Sequence, residues 1–220
     1  MKKLGRKVEV FFFRIFIFFS LRLRLYYWWS RRYQFAFEWR YENEVLPELS
    51  GFADLENVLS RMRWRKDTEV MLYDAISTPQ ATYARHRMGY EAGDCDDISI
   101  YAVNRINDMR SRDLFRGNVY EVGLLSVPWI DEDDEIGGHN VCAFSYNSKL
   151  TDGTTDYGVI RWAYVSNWFN GRIRYGFKSI EDVVREILRF KSAQSIGWAW
   201  ATEKLEVIKY HNGEGFDERH

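Results

Sequence analysis

Between residues 14 and 42 polar and apolar positions alternate. Arg14, Arg22, Arg24, Arg32, Gln34, Glu38, Arg40 and Glu42 fall on even numbers. Odd numbers read Ile15, Ile17, Phe19, Leu21, Leu23, Leu25, Tyr27 and Trp29, then Tyr33, Phe35, Phe37 and Trp39. A period of two with aromatic and branched side chains predicts strands with one buried face, turning near "WSRR". The competing arrangement is an interfacial helix, because the arginines also gather loosely on one side of a helical wheel. Phe18, Leu21, Leu25 and Trp28 intrude on that polar side, which favours strands.

After "NEVLPELSG" the period lengthens. "ADLENVLSRMRW" sets Leu55, Val58, Leu59 and Met62 on one helical face. "TEVMLYDAI" reads as a second short helix, ending before Thr78-Pro79 because proline restricts the residue preceding it. A turn-rich stretch then leads to Gly93. From Cys95 onward, Ile98, Ala102, Ile106 and Met109 recur at helical spacing, so this helix is expected to be buried along one side. The back half reads as strands: "VYEVGLLSV", "HNVCAFSY", "YGVIRWAYVSN", "RIRYGF" and "WAWATEKLEVIKYH". One amphipathic helix, "SIEDVVREILRF", interrupts them, with Ser179 and Asp182 as a variant capping box. Helices first and an antiparallel sheet later give an α+β fold.

With 46% hydrophobic content, the 220 residues can enclose a sizeable core. The net charge of −1 exerts no global pull on nucleic acid, and no specific nucleic-acid binding is expected. Its distribution is uneven: residues 1–41 carry ten Lys or Arg against two Glu, a local +8 that leaves −9 for the rest. Such a basic aromatic front end suits an anionic surface, a membrane interface or a larger assembly. Its longest charge-free run, Ile15 to Leu21, falls far short of the roughly 18–20 residues of a membrane span. Without a span or a cleavable leader the expected location is cytoplasmic, and a virus-encoded product made there fits equally. Three segments follow: a basic aromatic extension (1–45), a main domain (46–212) and a polar tail (213–220).

Only two cysteines occur, which excludes a secreted disulfide framework. One of them, Cys95, stands in "GDCDD" at the start of a helix. Thiols attack as thiolates, and unpaired helix-start amides with the helix dipole favour the anion. Asp94 suits the N-cap and Gly93 the sharp entry, while Asp96 and Asp97 oppose a neighbouring thiolate, so a positive partner is needed. The plain alternative is a small buried thiol. Among the histidines, His86 is expected in a basic, exposed loop, "ARHRMG", His211 ends the last strand and His220 is terminal. His139, opening the apolar strand "GGHNVCAF", is the one a fold delivers to a sheet edge. A third group would fix its tautomer: Asn167 in "WAYVSNW", or Ser166 if the register shifts by one. Cys142, three residues beyond His139, points to the opposite face and belongs in the core.

Cysteine, histidine and asparagine are separated by 44 and 28 residues. "GDCDD" on a helix, "GGHNV" on one strand and "WAYVSNW" on the next resemble the transglutaminase-like superfamily of cysteine enzymes, in particular its bacterial and phage peptidase-like branch. The resemblance covers about residues 70 to 170. It implies a papain-like α+β core with helices packed on an antiparallel sheet. It implies Cys95 as nucleophile, His139 as base and Asn167 where the family more often has aspartate. The substrate would be a protein or peptide. Its amide would pass through a thioester to water, as in a peptidase or amidase, or to an amine, as in cross-linking. Gln80 in "STPQATY" is a candidate oxyanion donor beside the Cys95 amide. No cofactor is implied, and no metal, since no paired Cys-x-x-Cys or His-x-x-x-His accompanies these residues. The acidic run "DEDDE" at 131–135 lacks the spacing of a calcium loop. The alternative is a non-catalytic binding or assembly module on the same scaffold, docking through its N-terminus.

Overall fold

The computed structural model describes residues 25–64, 75–133, 135–148, 159–195 and 197–212. Among these residues five α-helices and seven strands follow in order: α1 (Leu25–Phe37), α2 (Phe52–Arg61), α3 (Pro79–Arg87), α4 (Cys95–Ser111), β1 (Val119–Asp131), β2 (Ile136–Asn147), β3 (Ile160–Val165), β4 (Ile173–Phe177), α5 (Ile180–Lys191), β5 (Ala193–Ser195), β6 (Gly197–Ala201) and β7 (Val207–Asn212). The fold is α+β.

All strand pairs are antiparallel, in the order β4-β3-β2-β1-β6-β7, with β5 against the end of β1. β1 and β2 form the centre, in register from Val122↔Phe144 to Ile130↔Ile136. Helices cover both faces of this sheet. On one, α4 presents Ile98, Ala102, Ile106 and Met109 to Leu124, Cys142, Phe144 and Val165. On the other, α5 presents Val183, Val184 and Ile187 to Leu125, Val141, Ala143 and Trp200. Burial on both sides explains why "VCAF" is an unbroken apolar run. α4 is buried nearly all round, because α2 and α3 also pack on it.

Three sequence expectations are corrected. Residues 25–37 are helical, not a strand; residues 14–24 of the alternating segment lie outside the described residues. The inner stripe of α1 and its exit is polar: Tyr27, Ser30, Gln34 and Glu38 recur at helical spacing. Tyr27 Oη lies 2.7 Å from Ser126 Oγ, and Ser30 Oγ accepts from the Ile76 amide at 3.2 Å. Gln34 donates to the Ile76 carbonyl at 2.8 Å. The tryptophans and phenylalanines face outward, so hydrophobicity gave the wrong phase and the wrong period. Second, the turn-rich stretch holds α3, with Pro79 at its start and the Thr78 side chain accepting from the Ala81 amide. Thr78-Pro79 therefore opens a helix rather than closing one, and His86 lies on that helix, half-buried. Most of "TEVMLYDAI" lies outside the described residues, as does the tail 213–220; Ala75 and Ile76 are irregular. Third, "WAWATEKLEVIKYH" is the hairpin β6–β7, turned by Thr202 Oγ1 accepting from the Lys204 and Glu206 amides.

The α5 cap forms as read, Ser179 Oγ accepting from the Asp182 amide at 3.2 Å. Among the described residues, no helix is long and apolar enough to cross a membrane.

Candidate active site

Cys95 is the first residue of α4. Asp94 is its N-cap, the carboxylate accepting from the Asp96 and Asp97 amides at 3.2 and 3.5 Å. Gly93 enters with φ 148°, and a Cβ there would overlap the Asp97 carboxylate. Gly93→Ala is therefore expected to cost on the order of 2–3 kcal/mol, read from urea unfolding, because strain and a buried overlap add.

Two of the carboxylates at this helix start, Asp94 and Asp97, are structural. Asp97 accepts from the Ser77 amide at 2.6 Å and lies 3.9 Å from Arg85 Nη1. Burial first, and the Asp94 charge second, push its pKa up. Asp94, Asp96 and Asp97 bring carboxylate oxygens within 4.8 Å of one another, the set among the described residues that could hold a cation.

His139 is almost wholly buried. Its Nε2 lies 2.7 Å from Ser166 Oγ on the residue after β3. Its ring stacks on Trp168 with centroids 3.7 Å apart and planes at 4°. Burial, and secondarily the Lys191 charge, lower its pKa to about 3, so the imidazole is neutral near pH 7. Of the two candidates for the third position, the Ser166 hydroxyl contacts the imidazole. Alternation along β3 turns Tyr164 and Ser166 to one face. Asn167 instead opens a 3-10 turn, and its buried Oδ1 has no hydrogen-bond partner among the described residues. Trp168 was not singled out in the sequence; its place beside "SN" was the available signal.

Cys95 and His139 lie toward the same end of the sheet but on different faces. Ser99, one turn beyond Cys95, donates to the Asn140 carbonyl at 2.9 Å, which fixes the start of α4 beside this part of β2. His139 shares the parity of Val141 and Ala143, which point toward α5, whereas α4 packs on Cys142 and Phe144. No hydrogen bond joins the Cys95 thiol to the imidazole. Gln80 lies half-buried in the first turn of α3, a helix joined to the α4 start through Arg85. Cys142 is fully buried, and burial pushes its thiol pKa up.

Tyr27, from the N-terminal extension, also reaches this corner. Its partner Ser126 stands opposite Asn140 in the β1–β2 register. Burial raises the phenol pKa to about 12, with Asp96 adding to the shift. The extension thus forms part of the roof over the α4 start. A cleft of about 750 Å³ lies elsewhere, lined by Tyr120, Trp162, Trp200 and Glu203 and by neither Cys95 nor His139. Compared with known protein families, curated proteins and solved structures, the chain matches none.

Proposed function

We propose that the chain is a cysteine-dependent acyl-transfer enzyme with a papain-like, transglutaminase-like core, cleaving amide bonds of a protein or peptide through a thioester. One observation carries this reading: a neutral imidazole, oriented by Ser166 and stacked on Trp168, stands at the sheet end where α4 begins with Cys95. With Nε2 engaged by Ser166, the base in this reading is Nδ1. Chemistry requires the imidazole and the thiol, which lie on different faces of β2, to close on each other at this corner.

On closure, Nδ1 takes the thiol proton and Sγ attacks the carbonyl carbon. The tetrahedral oxyanion is stabilised by the Cys95 amide, since the Asp96 and Asp97 amides already serve Asp94. As it collapses, the C–N bond breaks and the amine leaves with the proton from imidazolium. Water then attacks the thioester, the imidazole takes its proton, and the carboxylic acid departs as the thiol is restored. Hydrolysis is the preferred outcome; an amine in place of water gives cross-linking.

A second reading, a non-catalytic docking module, is favoured by the lack of a Cys95–His139 bond and by the low imidazole pKa. Iodoacetamide labelling at pH 6–7 separates the two. For the enzyme, Cys95 reacts faster than Cys142 and faster than a free model thiol, and His139→Ala and Ser166→Ala each remove the excess. Labelling of Cys95 no faster than the model thiol gives the docking module.

A further inference from the structure

We infer that the outward face of α1 is a docking surface for an anionic lipid bilayer. The inference is independent of the chemistry at Cys95. A helix that packs on a domain normally turns its apolar stripe inward; α1 does the reverse. Its inner positions are held by hydrogen bonds, Tyr27 to Ser126, Ser30 and Gln34 to Ile76. Just past its end, Glu38 accepts from Arg85 and the Thr78 amide, each at 2.6 Å. These contacts fix which side faces out. Trp28, Trp29, Phe35, Phe37 and the following Trp39 lie outside, with exposures from 44% at Trp29 to 83% at Phe35, too much apolar surface in one place to be incidental.

The charge on this face is of one sign. Arg31, Arg32 and Arg40 are exposed, and the only carboxylate between residues 25 and 41, Glu38, is buried against Arg85. The next exposed carboxylate, Glu42, lies beyond the 3-10 turn. Arg32 stands over the Trp28 ring, its Cζ 5.4 Å from the centroid, and Arg40 over Tyr41 at 4.9 Å. Tryptophan and arginine together suit the headgroup region, where the indole sits among glycerol and acyl groups and the guanidinium meets phosphate. The 24 preceding residues continue this chemistry, with seven Lys or Arg against Glu9 alone and the apolar run "VFFFRIFIFF". Single-stranded nucleic acid would also use cations and ring faces. It has no use for this much aliphatic and phenyl bulk beside them, which decides for lipid.

The test uses the full chain and sedimentation with vesicles of phosphatidylcholine, alone or with phosphatidylserine. Expected is binding to the anionic vesicles, weakened by salt and much weaker on the neutral ones. Replacing Arg31, Arg32 and Arg40 by Gln together should lower partitioning on the order of a hundredfold. Trp28→Ser with Phe35→Ser should lower it about tenfold or more. All these side chains are exposed, and circular dichroism matching the parent shows that the variants fold. Unchanged binding by either variant, no binding at all, or capture of polyuridylate in preference to vesicles overturns the inference.

Discussion

Lowering the pH from about 6.5 to about 3 is expected to destabilise the protein through His139 by roughly 1.4 kcal/mol per pH unit, on the order of 4–5 kcal/mol in total. The sign follows from proton counts. The folded-state pKa of His139 is depressed to about 3 from an ordinary 6.5, so between these values the unfolded chain holds a proton that the folded chain refuses. Stability is therefore complete above the unfolded value and is lost as the pH falls. The cause is physical: a ring sealed against Trp168 has no water to solvate its cation. Asp97 works in the opposite direction, because its raised pKa makes the folded state the better proton acceptor on acidification. The difference between parent and His139→Gln urea curves across this range isolates the histidine. Equal pH slopes in the two proteins would show that the imidazole is not sealed.

Removing the Glu38 carboxylate is expected to cost about 3–5 kcal/mol, the usual penalty for breaking one half of a buried ion pair. Glu38 is 3% exposed, yet its two oxygens bind Arg85 and the Thr78 amide. Glu38→Ala leaves Asp97, at 3.9 Å, as the nearest remaining carboxylate to Arg85, and leaves the amide of Thr78, the N-cap of α3, without its acceptor. Arg85→Ala alone should be costly as well. The double variant should cost less than the sum, since removing both partners leaves no stranded charge. Chemical denaturation of the four proteins provides the cycle; additive effects would mean that the pair is not coupled. Because Glu38 follows α1, the single variant should also loosen the extension and raise alkylation of Cys95 beneath it.

These two residues show where the linear pattern succeeded and where it failed. The helix beginning at Cys95, its Asp94 cap and the Ser179 cap of α5 were legible because they depend on neighbours within four residues. The central strands were legible because sheets buried on both faces leave long apolar runs. The partner of His139 was legible only to within one residue. Strand parity turns Ser166 toward the ring, and parity depends on where β3 stops and the 3-10 turn begins.

Glu38 illustrates the failure. Read by hydrophobicity, residues 25–41 alternate, and a charged Glu38 belongs with the solvent-facing set. The folded chain inverts that assignment, because Arg85, Thr78 and Ile76 lie 40 to 47 residues downstream of the groups they bind and supply polar partners that no local pattern announces. Thr78-Pro79 was ambiguous for a related reason: proline both stops one helix and starts another, and only the packing of α3 on α4 selects the second role. By itself, then, the sequence determined the α+β class, the caps and the thiol at a helix start, all consequences of short-range geometry. The tertiary structure alone decided which side of the N-terminal helix faces water and that His139 and Cys95 approach from different faces. Both depend on contacts between segments far apart in the chain, where pairing energy overrides local preference.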